Sequence, residues 1–141
     1  PKEDWHSPLR ESALRRILAE NLELLEPGLV PFNSDQGPEE FPAGVAGRID
    51  LFCKDSAGNP VVIELKRDTP SDNVIGQLAR YMGYVTEHHM KRGKIVRGMV
   101  VSHDVDEHLE LALKAIPNVE LKLYDVSIRL RSAQGKRRTA G

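Results

Sequence analysis

Apolar residues recur at Leu14, Ile17, Leu18, Leu22 and Leu25, the three-and-four spacing of an amphipathic helix. Ser7-Pro8 supplies its N-cap and first helical position, and Pro27-Gly28 ends it, so a helix of about five turns is predicted. Leu29 to Phe32 reads as a short strand. Asn33 to Gly44 is rich in Pro, Gly and acidic residues and reads as a loop that enters a sheet through Val45. The stretch Gly47 to Lys66 is the most sharply patterned of the chain. It predicts a strand, the turn Asp55-Ser56-Ala57-Gly58-Asn59-Pro60, and a second strand. Asp50 alternates with Ile49 and Leu51. Glu64 and Lys66 project from one face, while Val61, Ile63 and Leu65 occupy the other.

After the breaker Arg67 to Asp72, a helix capped by Ser71 or Asp72 carries the apolar stripe Val74, Ile75, Leu78, Met82 and Val85. Gln77, Tyr81 and Tyr84 share a neighbouring face of it. Ile95 to Ser102 is a strand. Asp104 with Glu107 reads as a capping pair that opens a helix through Leu109, Ala112, Leu113 and Ile116. Pro117-Asn118 breaks that helix, and strands over Val119 to Tyr124 and Val126 to Leu130 complete the sheet. The order predicts an α/β fold with a mixed β-sheet flanked by helices, in two or three layers. Its hairpin is antiparallel, and the crossover from residue 61 to 102 is right-handed if its strands are parallel.

Composition places this pattern in one ordinary domain: 141 residues, 40% hydrophobic, with a formal net charge of −1. No apolar run approaches the roughly 18 residues of a membrane helix. The chain starts at Pro1 without Met, so it is read as processed or as part of a longer protein. Cys53 has no partner for a disulfide, sits in a predicted strand as a core filler, and fits a reducing, cytoplasmic setting. Positive charge is local: Lys91, Arg92, Lys94 and Arg97 cluster, and Lys136, Arg137 and Arg138 lie in the tail. Residues 1–131 are read as the domain and 132–141 as a disordered basic tail.

The chemistry concentrates at the hairpin. A half-buried sheet does not place Glu and Lys on an inner face without a reason. Asp50 and Glu64 can supply side-chain oxygens, and the carbonyl of Leu65 a third, to Mg²⁺ or Mn²⁺, hard cations that keep several waters. A metal there would polarise a phosphoryl oxygen and activate a water, and Lys66 would position that water or stabilise developing charge. As a bare pattern, Asp followed by Glu-x-Lys also describes a solvated ion pair. The flanking Ile63 and Leu65 argue for a central strand and against that reading.

Gly47-Arg48-Ile49-Asp50-Leu51, Val62-Ile63-Glu64-Leu65-Lys66-Arg67 and Gln77-Leu78-Ala79-Arg80-Tyr81 resemble the nuclease domain of the NucS/EndoMS endonucleases. These belong to the PD-(D/E)XK, or restriction-endonuclease-like, superfamily. Asn21 to Leu29 and Arg97-Gly98-Met99-Val100-Val101 extend the resemblance to about residues 8–130. It implies a restriction-endonuclease-like core and a metal-dependent endodeoxyribonuclease acting in repair or on mismatched or branched DNA. Asp50 and Glu64 would be metal ligands, Lys66 the catalytic lysine, Gln77 a residue ordering the metal or DNA backbone, and Tyr81 its assistant. The superfamily often adds an acid from the first helix; Glu11 is the choice here and Glu20 the competitor. The position before Asp50 is Ile49 where the superfamily name has Pro. The N-terminal DNA-binding and dimerisation domain of NucS/EndoMS enzymes has no counterpart in these residues. DNA is therefore the expected partner, with a homodimer or a separate DNA-targeting domain or partner supplying specificity.

Other residues carry less. Adjacent His88 and His89 cannot face one ligand from a helix and read as exposed near its end. His103 follows a strand end; Trp5 and His6 read as a local anchor. No Gly-rich phosphate loop or Ser-His-Asp arrangement is present. The competing class is a catalytically silent nucleic-acid-binding or assembly module with the same fold. A surface ion-pair ladder is a third reading, and it requires Glu64 and Lys66 to face solvent.

Overall fold

The computed structural model describes residues 9–134. Ser7-Pro8, Trp5, His6 and the basic tail residues Lys136, Arg137 and Arg138 lie outside the described residues. Three α-helices, α1 (Glu11–Ala19), α2 (Asn73–His88) and α3 (Glu107–Lys114), accompany six strands. These are β1 (Val30–Pro31), β2 (Glu39–Pro42), β3 (Arg48–Lys54), β4 (Pro60–Leu65), β5 (Arg97–Ser102) and β6 (Val119–Leu123). The sheet order is β1-β3-β4-β5-β6, with β2 also on β3. β1, β2 and β4 pair antiparallel with β3, whereas β4-β5 and β5-β6 are parallel, so the sheet is mixed.

The sheet has apolar residues on both faces, so it must be covered twice. Leu14, Leu18, Leu22, Leu25 and Leu29 cover Leu51, Cys53, Val61, Ile63 and Met99 on one face. On the other, Val74, Leu78, Tyr81 and Val85 of α2 and Leu109 of α3 cover Ile49, Phe52, Val62 and Val100. Consecutive crossovers of one hand that step in one direction put their helices on one face, and α2 and α3 do share one. The approach of α2 is close at Gly98, where an added Cβ would meet Met82 Sδ at 2.8 Å and Leu78 Cδ2 at 2.9 Å. Cys53 is buried as expected, and burial pushes its thiol up to about 12.

Four expectations need correction. The first helix is shorter than five turns: it stops at Ala19, the Asn21 side chain donates to the Ile17 carbonyl at 2.8 Å, and a 3₁₀ turn, Leu22–Leu24, carries the stripe onward. The loop 33–44 contains β2. Phe32 N–H donates to Phe52 O at 3.1 Å and Phe52 N–H to Pro38 O at 2.9 Å, so β1 and β2 form one interrupted edge strand. Pairing overrode weak propensity there, and Pro42 is tolerated at an edge. The cap of α2 falls at Ser71 and Asp72 as expected: Asp72 is the N-cap residue, and Ser71 Oγ accepts from Asn73 N–H at 3.3 Å. The cap of α3 is Asp106, accepting from Leu109 N–H at 2.8 Å, not Asp104, which turns onto Val105 N–H. No strand forms over 126–130 among the described residues. Val126, Ile128 and Leu130 alternate correctly, but they are exposed and do not pair with the outer side of β6.

Candidate active site

β3 and β4 pair from Lys54↔Pro60 to Leu51↔Ile63, and there the ladder ends. Continued for two residues, that register would set Ile49 opposite Leu65. Instead the Leu65 N–H donates to Asp50 Oδ2 at 2.8 Å. The Asp50 carboxylate thus takes the place of a main-chain acceptor where the strands part. Paired strand residues exchange both main-chain bonds on one side, so the Leu65 carbonyl lies along the same edge as the N–H that Asp50 engages. Gly47, at φ +108°, turns the chain into β3 here, and a Cβ on it would lie 3.4 Å from Tyr81 Oη.

Glu64 follows on the central strand with its side chain only 4% exposed. One oxygen, Oε2, lies 3.3 Å from Lys66 Nζ. The other, Oε1, is buried and has no hydrogen-bond partner. Lys66 Nζ also donates to Gln77 Oε1 at 3.4 Å, and Gln77 Nε2 to Tyr81 Oη at 3.1 Å. The i, i+4 spacing on α2 makes that second bond possible. Tyr81 is buried, so its ring closes the site from the helix side.

The two carboxyls titrate together. Burial, then the charge of Asp50 and a hydrogen bond shared with its carboxyl when Glu64 is protonated, pushes Glu64 up to about 8; Lys66 opposes this without cancelling it. Burial also raises Asp50, against the lowering pull of the Leu65 N–H. Burial and then the Glu64 charge raise the Tyr81 phenol. With both carboxyls ionised beside one ammonium the site lacks positive charge; without a cation Glu64 keeps its proton. Among the described residues no group of three or more His, Cys, Asp or Glu gathers around a common point. The donor set is therefore two carboxylates and a main-chain oxygen, which suits a hard divalent cation that retains water.

Of the predicted residues, the fold brings together Asp50, Glu64, Leu65, Lys66, Gln77 and Tyr81. Glu11 stands at the rim: its Oε2 accepts from Arg67 N–H at 3.1 Å, and its charge reaches Asp50. Glu20 is not part of the site. It caps the far end of α1, exposed and about 13 Å from Glu11 by helical rise. Beside Lys66 an open groove of about 410 Å³ is lined by Pro70, Ser71, Asn73, Val74, Gln77 and Arg80. Arg80 went unremarked in the sequence; its place three residues after Gln77 was the available signal. Tyr124 was missed as well: its hydroxyl donates to the Arg67 carbonyl at 3.0 Å, pinning the chain just past Lys66.

Two further expectations change. Arg97 is no surface cation, since it is clasped by Glu26, Asp55 and Glu120. His89 is not simply exposed: it packs against Phe32, Phe41 and Phe52, and burial lowers its pKa.

A family model described as the endonuclease NucS C-terminal domain matches residues 10–139. The chain belongs to that family. Endonuclease NucS of Methanopyrus kandleri is 32% identical over 119 residues, which is 84% of this chain and 42% of that relative. That of Sulfolobus acidocaldarius is 36% identical over 84 residues, 60% of this chain and 31% of that relative. Among solved structures, a repair endonuclease from Pyrococcus abyssi superposes with a TM-score of 0.68 at 27% identity, over 82% of this chain and 47% of that one. An EndoMS–double-stranded DNA complex gives 0.69 at 28% identity, over 84% and 46%. The chain spans less than half the length of these NucS relatives. Its mixed α/β fold, a six-stranded sheet with three helices among the described residues, is similar to the NucS/EndoMS structures. Among the described residues no helix is long and apolar enough to cross a membrane.

Proposed function

We propose that this chain is the catalytic domain of a Mg²⁺- or Mn²⁺-dependent DNA endonuclease with a restriction-endonuclease-like core. The observation that carries this reading is the buried, unpartnered Glu64 Oε1 beside Asp50 and Lys66. Leaving a buried carboxylate oxygen bare costs about 1–3 kcal/mol or more, and a fold keeps such a group where a ligand satisfies it. Asp50 and Glu64, with the Leu65 carbonyl, would hold the ion. The chemistry the ion supplies is polarisation of a phosphoryl oxygen and activation of a water for attack on phosphorus.

The chain's own residues do the rest. Asp50 is oriented by the Leu65 N–H, so its second oxygen remains available. Lys66, held between Glu64 and Gln77, places an ammonium where negative charge grows on the phosphate. Gln77 is fixed by Tyr81 and keeps Lys66 from collapsing wholly onto Glu64. Arg80 and the groove beside Lys66 receive the strand's backbone. A duplex presents two strands, so cutting both calls for a second catalytic centre.

The test is cleavage of labelled single-stranded, duplex, mismatched and branched DNAs in EDTA, Mg²⁺ or Mn²⁺, with wild type beside Asp50→Ala and Lys66→Ala. Cutting that requires the cation and disappears in both variants is expected. Cation-independent cutting, or cutting that survives Asp50→Ala, overturns the assignment. DNA binding without cutting in any cation puts the silent binding module in its place.

A further inference from the structure

Asp50, Phe52 and Lys54 alternate along β3 and so face the same side of the sheet as α2. Phe52 is buried under that helix with Leu78, Tyr81 and Val85. Asp50 emerges on the side of Gln77. Lys54 emerges at the other end, where α2 gives way to Met90 and Lys91, and there it borders a second pocket of about 240 Å³. Its wall is aromatic: Phe32, stacked on Phe52 with centroids 4.4 Å apart, and His89, edge-on to Phe32 at 5.7 Å. Its rim is cationic: Lys54 and Lys91, with Lys94, whose Nζ already donates one bond to the Ala57 carbonyl. No Asp or Glu is among its lining residues, and Lys54 and Lys91 make no ion pair among the described residues.

This concentration of charge departs from a chain whose net charge is −1. Solvated lysines need no aromatic wall, and an aromatic wall that only completes a core needs no ring of lysines. Together they match the recognition of a nucleotide outside a helix: a base face on an aromatic ring and phosphates on ammonium groups. A paired base offers only its edge to such a wall, because its faces are stacked on its neighbours. The volume is below the range of about 300–1,000 Å³ usual for drug-sized ligands, so the pocket suits a single base.

We infer that the pocket formed by Phe32, His89, Lys54, Lys91 and Lys94 binds one unpaired nucleotide of a DNA strand. The inference rests on the DNA reading given above. Along β3, Asp50 and Lys54 are separated by about 14 Å, four residues of strand rise and close to four stacked-nucleotide rises. Because α2 lies over Phe52 between them, a strand engaged at both ends would have to pass around that helix. The ligand chemistry, a base with its phosphate, is shared by a free mononucleotide, and the experiment separates the two sources.

Binding of a fluorescent single-stranded 12-mer and of a blunt hairpin duplex is measured by anisotropy in EDTA, across a salt series, with dAMP as competitor. The protein is the 141-residue chain, as wild type, Lys54→Glu/Lys91→Glu and Phe32→Leu, each checked for its melting temperature. The charge reversals lie on the surface, and Phe32→Leu keeps an apolar filler against Phe52. The expected result is that Phe32→Leu weakens the single strand about 5- to 150-fold, the range of one base–aromatic stack. The lysine variant should lower the salt slope by about 0.7 for each lost phosphate contact. The duplex should respond less to Phe32→Leu. Single-strand binding unchanged in both variants overturns the proposal, and binding lost only in the lysine variant overturns its stacked-base half. Displacement by dAMP at the oligonucleotide's own affinity would make the pocket a mononucleotide site and overturn the strand assignment. Because binding is read without cation or turnover, failure of the nuclease reading shows separately, as intact binding with no cutting.

Discussion

Strand β4 carries a charge cluster at each end. Beside its start, Arg97 meets three carboxylates: Glu26 through two bonds of 2.7 and 2.8 Å, Asp55 at 3.0 Å and Glu120 at 2.8 Å. Beside its end, Asp50, Glu64 and Lys66 meet, and one carboxylate oxygen is left bare. The first cluster is acid-rich but geometrically saturated, because a guanidinium offers a planar fork that several oxygens share. The second is equally well placed and is not saturated. Charge that serves the fold is satisfied within the chain; charge that serves chemistry is left for something outside it.

The titration directions express the same contrast. Hydrogen bonds from Arg97 hold Glu26 below its ordinary 4.5. Burial would raise Asp55, but Asn59 and Arg97 outweigh it and hold it below 3.8. A depressed carboxylate adds stability that is present above its unfolded pKa and is lost as pH falls through its folded one. Glu64 runs the other way. Its pKa rises from 4.5 to about 8, so the folded chain holds more protons than the unfolded one in between, and stability is lost as pH rises through that window.

The sharpest way to break the comparison is to mutate both clusters and read rate and stability separately. Lys66→Ala should lower DNA cleavage about 100-fold or more with little change in melting temperature. Arg97→Ala should do the reverse, costing about 2–4 kcal/mol by denaturant titration while the rate per folded molecule is kept. Its ceiling is the roughly 3–5 kcal/mol of a broken buried pair, reduced because Glu120 is 43% exposed. If Arg97→Ala abolished cutting by a fully folded protein, the division between the clusters would fail.

A smaller effect sharpens the contrast. In EDTA at pH 8, Glu64→Gln should be more stable than wild type by about 1–2 kcal/mol, because an amide does not have to ionise in the site. The gap should close as pH falls well below 4.5, where the wild-type carboxyl is protonated in both states. Mg²⁺ should raise the wild-type melting temperature at pH 8 and leave that of Asp50→Asn where it was; equal shifts would remove the ion from the acid pair. The smallest effect concerns His89, whose pKa is lowered by burial among the phenylalanines. Its folded form stays neutral where the unfolded form charges, so stability present above about 6.5 should fall as the solution is acidified. His89→Phe should flatten that part of the pH–stability curve by less than about 1 kcal/mol.

Local pattern alone determined the elements that carry the site. The alternation through Asp50, Glu64 and Lys66 and the four-residue step from Gln77 to Tyr81 are geometric consequences of strand and helix periods. They hold wherever those elements form. The sequence also marked α2, α3 and the β3–β4 hairpin, because long periodic runs bounded by turn residues leave few alternatives. Tertiary structure decided what depends on distant partners. Glu39 to Pro42 became a strand because β3 offered it an edge, whereas Val126 to Leu130 stays exposed and unpaired although β6 pairs on one side only among the described residues. Glu11 reached the rim and Glu20 did not, although both belong to one helical stretch, because only the first turn of α1 passes Arg67. Arg97 left its basic neighbours for three acids contributed by three separate segments. The bare oxygen of Glu64 was likewise invisible in the sequence: whether a charge is satisfied is a property of everything that surrounds it, and that set is assembled only when the chain folds.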